Sequence, residues 1–100
     1  MLTSYSDLRR FLDGNNHLHE ILSKLGKTFD SNDFITAFRL IYPDEYADAA
    51  KFAGTFGRLH SWIARWYLSQ CKQIKDLGLS QKPRIGINGN PTRNHRWSKL

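Results

Sequence analysis

The residues best suited to bind a charged ligand lie in the stretch TFGRLHSWIARWYLSQ, residues 55–70. If this stretch is a helix, with about 100° between successive residues, Arg58, Ser61 and Arg65 fall within about 60° of one another. Two arginines and a small serine form a surface that can approach a phosphate backbone or enter a major groove. No acidic residue, which would repel phosphate, occurs from residue 49 to residue 75. The spacing therefore predicts a surface for a polyanion, with an ordinary solvated face as the alternative.

The other side of the same stretch is apolar. A stripe of large side chains at helical spacing is usually buried. The residues on this stripe are Phe56, Leu59, Trp62, Ile63, Trp66 and Tyr67. We expect most of these aromatic rings in the core, while Leu68 falls on the far side of the wheel.

Catalytic and metal-binding chemistry is poorly supported by the remaining polar residues. His17 and His19 are two positions apart, so on a helix they point in different directions. His60 and His95 have no carboxylate or cysteine nearby at ligand spacing. The glycines of GINGN match neither common phosphate-binding loop. We therefore expect no enzymatic activity, no metal site and no cofactor.

Composition predicts one folded domain spanning residues 1–100. The chain has 100 residues, of which 40% are hydrophobic and 13% aromatic, enough to build one core. A single cysteine, Cys71, cannot form an internal disulfide, which favours a reducing compartment. The first residues lack the pattern of a secretory signal. We expect an intracellular protein, cytoplasmic or nucleoid-associated, or nuclear if the source is eukaryotic.

Charge is divided unevenly along the chain. Residues 1–53 hold six lysines and arginines and eight acidic residues, a net charge of −2, whereas residues 54–100 hold nine and one, a net charge of +8. Such asymmetry indicates a polyanionic partner, usually nucleic acid. A membrane surface is disfavoured because the apolar stripe is needed for the core, and no apolar run is long enough to span a bilayer. A basic surface that only maintains solubility is the remaining alternative.

The order of the elements is the second line of evidence. Apolar periodicity and capping residues predict successive helices at 4–13, 17–25, 31–42, after Pro43, and 56–70. The segment 27–30 is short and could be extended. Beyond Cys71, glycine, proline and asparagine interrupt any helix. Two candidate strands, within 73–87 and near 95–100, predict a hairpin held by apolar anchors such as Trp97.

This order resembles a winged helix-turn-helix domain over roughly residues 16–100. The resemblance implies a mainly α fold with a small β-hairpin, in which 56–69 is the recognition helix. It places Thr28 and Phe29 in the small sheet and makes about 72–100 the wing. Residues 1–14 then form an extra helix, and the long link from Tyr42 to Gly57 must hold another.

The resemblance also implies which residues meet DNA. The recognition helix presents Arg58, Ser61 and Arg65, while the basic wing, about 82–96, adds contacts to phosphates and to base edges in the minor groove. The implied wing residues are Lys82, Arg84, Asn88, Asn90, Arg93, Asn94 and Arg96. Trp97 is expected to anchor the hairpin to the core.

The resulting expectation is a non-enzymatic protein that binds double-stranded DNA, as a transcription regulator or as the DNA-binding module of a larger system. Two alternatives stay open: RNA binding, and an adaptor whose basic half binds an acidic protein. The acidic N-terminal half could also contact a protein partner. The sequence does not fix the oligomeric state.

Overall fold

The computed structural model describes residues 2–79, 84–85, 91–92 and 95–100 of the chain. The fold is mainly helical with a small antiparallel sheet, as expected. Four helices occupy the first half: α1 (Tyr5–Asp13), α2 (His17–Ser23), α3 (Ser31–Ile41) and α4 (Pro43–Ala53). The helix α4 is the additional helix predicted between Tyr42 and Gly57.

The second half begins with one continuous helical segment. It consists of α5 (Phe56–Ser61), a π-helical segment (Trp62–Tyr67) and a last turn, α6 (Leu68–Gln70). We call the whole of 56–70 the basic helix. It leads into the strand that starts the hairpin.

The sheet joins the hairpin to the first half of the chain. Strands β1 (Thr28–Asp30), β2 (Ile74–Leu79) and β5 (His95–Lys99) are antiparallel, with β5 in the middle. A second two-stranded pair is formed by β3 (Arg84–Ile85) and β4 (Pro91–Thr92). The hairpin and the position of Thr28 and Phe29 in the sheet are therefore confirmed.

Local sequence explains where the helices start. Asp30 caps α3 in a reciprocal box: its carboxylate accepts from the Asp33 N–H at 2.8 Å, and the Asp33 carboxylate accepts from the Asp30 N–H at 3.1 Å. Thr55 caps the basic helix by accepting from the Arg58 N–H at 3.1 Å. Gly54, with φ at +89°, makes the turn between α4 and that cap in a conformation that suits glycine.

Trp97 ties the sheet to the helices. Its side chain is 2% exposed, opposite Phe29 in the register, and its indole N–H donates to the Ser31 hydroxyl at 3.1 Å. The predicted role of Trp97 as an anchor is confirmed. Tyr67 makes a similar link from the basic helix, donating its hydroxyl proton to Asp13 of α1 at 2.7 Å.

The burial of the basic helix differs from the pattern of a regular helical wheel at three positions, and the prediction that most of its aromatic rings are in the core is wrong for Phe56 and Trp66. Leu68 is fully buried, whereas Trp66 and Phe56 are 36% and 57% exposed. A π-helical turn contains about one residue more than an α-helical turn, so the residues after it are rotated by about 100°. The rotation builds up through the segment, so it turns Trp66 outward near the segment's end and Leu68 inward directly after it. Phe56 is the first residue of the helix, and its exposed ring stacks on Tyr46 of α4.

The contribution of the buried Leu68 side chain to stability can be measured. Leu68→Ala is expected to lower the free energy of unfolding by about 2–5 kcal/mol, because it leaves a cavity in the core. Leu40 of α3, 78% exposed, is the matched control, and Leu40→Ala should change that free energy by no more than about 0.5 kcal/mol. Urea unfolding followed by circular dichroism measures both. If Leu68→Ala lowers the free energy of unfolding as little as Leu40→Ala does, Leu68 lies on the exposed side of a regular α-helix.

Candidate nucleic-acid interface

The exposed side of the basic helix carries the three residues predicted from the sequence. Arg58, Ser61 and Arg65 are all exposed, while Leu59 and Ile63 on the other side are fully buried. Core packing therefore fixes the rotation of the helix and places the two arginine side chains at the surface. We call Arg58, Ser61 and Arg65 the basic strip.

Aromatic stacking attaches the basic helix to α1. The ring of Trp62 stacks on Tyr5 at 4.9 Å and on Trp66 at 5.1 Å between centroids. The guanidinium carbon of Arg9 lies 5.4 Å from the Trp66 ring, within cation–π range. The structure thus adds Arg9 to the cations on this part of the surface.

The sequence pattern did not indicate that Arg9 lies beside the basic helix. Its partner Trp66 was expected inside the core, and the π-helical segment that exposes Trp66 leaves no clear mark in a helical wheel. Arg9 also lies 3.7 Å from Asp13 of the same helix. This exposed pair contributes little to stability, but it partly neutralises the cation.

The one acidic residue of the second half is engaged within the sheet. Asp76 of β2 pairs with the His95 imidazole of β5 and accepts from the Gly78 N–H at 2.7 Å. The hydrogen bond from the Gly78 N–H holds the pKa of this carboxyl below its ordinary range, and the contact with His95 lowers it further. Spacing in the sequence did not indicate this carboxylate partner for His95, because nineteen residues separate the two and the contact depends on the pairing of two strands.

The wing residues are only partly described. Arg96 is exposed on β5, next to Trp97, which points into the core, so Arg96 lies on the outer face of the sheet. The strand β3 includes Arg84, whose side chain is outside the described part. Five further predicted residues lie outside the described residues: Lys82, Asn88, Asn90, Arg93 and Asn94.

His60 belongs to a cluster of rings between α4 and the basic helix. Its Nε2 atom is 2.8 Å from the Tyr46 hydroxyl, and the Tyr46 ring stacks on Phe56 with centroids 5.9 Å apart. Burial, and then the charge of Arg39, lower the pKa of His60. Burial raises the pKa of Tyr46. Both groups are therefore neutral at neutral pH, and their hydrogen bond joins the two helices.

Next to this cluster is an open hollow of about 390 Å³ at the surface. Its lining is mainly apolar and comes from the second half of α4 and the start of the basic helix. The lining residues are Tyr46, Ala47, Ala50, Lys51, Gly54, Thr55 and Phe56. An Arg58 Nη1 atom lies 3.8 Å from where a Cβ of residue 54 would be, which puts a cation near the hollow.

Burial and hydrogen bonding determine the protonation of other ionisable side chains in the described part of the chain. Within the described ranges, no three histidine, cysteine or acidic side chains are grouped closely enough to hold a metal ion. Burial raises the pKa of the Cys71 thiol, and burial with the Glu20 hydrogen bond raises the pKa of Tyr42 to about 12. These shifts keep the thiol and the phenol protonated.

No helix in the described ranges combines the length and apolar character needed to cross a membrane. No family model, curated protein or solved structure matches the chain.

The neutral state of His60 predicts a dependence of stability on pH. Its folded pKa is lower than the ordinary value of about 6.5, so the unfolded chain binds the proton more readily. We expect the free energy of unfolding to fall as the pH is lowered from about 7 to 5. His60→Gln, which keeps a hydrogen-bonding side chain for Tyr46, should show a weaker dependence in urea titrations.

His19→Gln is the matched control, since His19 is exposed on α2. It should leave the pH dependence as in the unsubstituted protein. If His60→Gln and His19→Gln have the same profile as the unsubstituted protein, the loss of stability at low pH arises from other groups.

Proposed function

We propose that the chain binds double-stranded DNA through the basic helix and acts without catalysis, as a regulator or as the DNA-binding module of a larger system. The observation that carries the proposal is the basic strip. It projects from a helix whose other side is locked in the core, and no acidic residue lies between residues 49 and 75. A fixed, acid-free helical surface of this kind suits a phosphate backbone or a major groove.

The arrangement of the elements supports a winged helix-turn-helix assignment. In the proposed correspondence, α2, β1, α3 and the basic helix follow in that order, and the hairpin of β2 and β5 comes directly after the basic helix. The strand β1 pairs with β5, so one sheet joins the start of this unit to its end. The helices α1 and α4 are additions to it.

Binding in this proposal has two components. Arg58 and Arg65 contact phosphates, which supply most of the affinity and little sequence preference. Ser61, between them on the strip, is small enough to let the helix enter the groove and can hydrogen-bond to phosphate or to base edges. Arg9, placed by Trp66, and the wing cations, Arg96 among them, would add contacts outside the groove.

The direct test is fluorescence anisotropy with labelled random duplex DNA at several salt concentrations. The variant Arg58→Ala/Arg65→Ala should bind more weakly, and the slope of log affinity against log salt should decrease by about 2, because two phosphate contacts are lost. Lys24→Ala/Lys27→Ala removes the same charge away from the basic strip. It should leave the slope near that of the unsubstituted protein.

The other outcomes separate the alternative functions. No binding of duplex DNA at low salt would overturn the proposal and favour an adaptor for an acidic protein. Equal losses in both double variants would show that net charge alone matters, rather than the basic strip. Competition by structured RNA at concentrations where duplex DNA does not compete would favour RNA as the ligand.

Gly57 offers a second test, because stability and binding should change in opposite directions. It lies four residues before Ser61, on the same side of the helix. An added Cβ would meet no atom closer than the Thr55 hydroxyl at 3.9 Å, so the fold does not require glycine there. Gly57→Ala should raise the free energy of unfolding by about 0.4–1 kcal/mol and weaken duplex binding by obstructing close approach.

Urea unfolding and anisotropy on the same Gly57→Ala preparation measure the two effects. Gly57→Ser, which also adds a Cβ but retains a hydroxyl that can meet phosphate, is the comparison. If Gly57→Ala is more stable and binds DNA as tightly as the unsubstituted protein, the ligand does not approach the first turn of the basic helix.

A further inference from the structure

The exposed face of α4 carries an acidic and a basic residue on one line along the helix. Asp44, Ala47 and Lys51 are spaced by three and four residues and are all exposed, so they follow one line along the helix. In the described part of the chain neither Asp44 nor Lys51 forms an ion pair. Asp48, by contrast, already accepts the Leu2 N–H at 3.2 Å.

The order of charges on this line is what a two-fold contact requires. An interface related by a two-fold axis uses the same surface on both copies, so each feature must complement another feature of that surface. The acid Asp44 stands at the start of α4 and the base Lys51 two turns later, with small Ala47 between them. Two antiparallel copies of α4 therefore bring each acid near the other copy's base.

The apolar hollow lies along the same line of α4. Ala47 and Lys51 both line it, together with Ala50 and Gly54. Antiparallel packing places the first turn of one α4 beside the second half of the other, so Asp44 of each copy lies at the edge of its partner's hollow. Such a contact covers apolar surface of the hollow and pairs the two charges.

We propose that this face binds a second copy of the chain, with the two α4 helices antiparallel about a two-fold axis near Ala47. Charge complementarity identifies the occupant, because the face carries both the acid and the base that the contact needs. The dimer does not depend on nucleic-acid binding. None of the residues of the basic strip lines the hollow, although an Arg58 Nη1 atom lies near Gly54 at its edge. A dimer with a two-fold axis would suit a palindromic DNA site.

The experiment uses single charge reversals and their mixture. Sedimentation velocity over a range of concentrations should show the unsubstituted protein reaching twice the monomer mass of 11.6 kDa. Asp44→Lys places two lysines together at both symmetric contacts, and Lys51→Glu places two acids together. Each variant should raise the dimer dissociation constant by about tenfold or more.

Mixing the two variants supplies the decisive result. In the mixed dimer, the new lysine faces the new glutamate and the native pair faces across the other contact, so dimerisation should be restored. A folding defect cannot produce this restoration. The double variant Asp44→Lys/Lys51→Glu should also dimerise, with a dissociation constant within about threefold of the unsubstituted one. Lys72→Glu, an exposed charge reversal outside α4, should leave dimerisation unchanged.

Three results would overturn the proposal. The first is an unsubstituted protein that stays monomeric up to about 200 µM. The second is a dimer that both single variants form as readily as the unsubstituted chain, which would locate the interface elsewhere. The third is a mixture that associates no better than its components, which would show that Asp44 and Lys51 do not face each other.

Discussion

Burial of one side of the basic helix is the constraint on which the rest of the structure depends. A chain of 100 residues has apolar material for one core. Leu59, Ile63, Tyr67 and Leu68 supply that core from a single helical segment. The helix cannot rotate without exposing them, so the orientation of Arg58 and Arg65 is set by packing. In the proposed binding, no backbone entropy is spent on ordering the strip, because its helix is already packed, and only the arginine side chains lose conformational freedom.

The π-helical segment lets one helix bury different faces at its two ends. Leu59, before the segment, and Ile63, in its first turn, are fully buried in the core at ordinary α-helical spacing. Tyr67, its last residue, reaches Asp13 of α1, and Leu68, directly after it, is buried. A regular α-helix would have directed Leu68 to solvent and Trp66 to the core. The rotation also leaves Trp66 free to hold Arg9, so a local irregularity in the backbone changes which cations share the surface.

Much of the fold could be predicted from the sequence, because its signals are local. Asp30 and Asp33 form their capping box within one helical turn, and Pro43 opens α4 directly. Large apolar residues in a segment rich in turn formers indicated the hairpin, with Trp97 as its anchor. The contact between Asp76 and His95 was beyond such reasoning, since it depends on the register of two strands. The exposure of Trp66 was missed because a helical wheel assumes a constant rotation per residue.

The residues of the candidate site also separate into those that the sequence predicted and one that it did not. Arg58, Ser61 and Arg65 were found because exposure on a helix follows from the spacing of the buried residues around them. Arg9 was not found, because its place depends on a second helix and on one aromatic ring.

The added helix α4 explains why the two halves of the chain carry opposite charge. Three of the eight acidic residues of the first half lie on α4, while its exposed line ends in Lys51. A helix inserted before the basic helix lengthens the link between α3 and the basic helix, and it also creates a face that the remaining fold does not cover. In the proposed function, an acidic surface there does not compete for phosphate with the basic strip, and it repels nucleic acid from the face proposed for the second copy. Both proposed functions on one helix would set acids beside Arg58 and Arg65, where each would weaken the binding of the other's ligand. Separation of the charges along the chain is therefore the physical condition that the two proposed surfaces need on one small core.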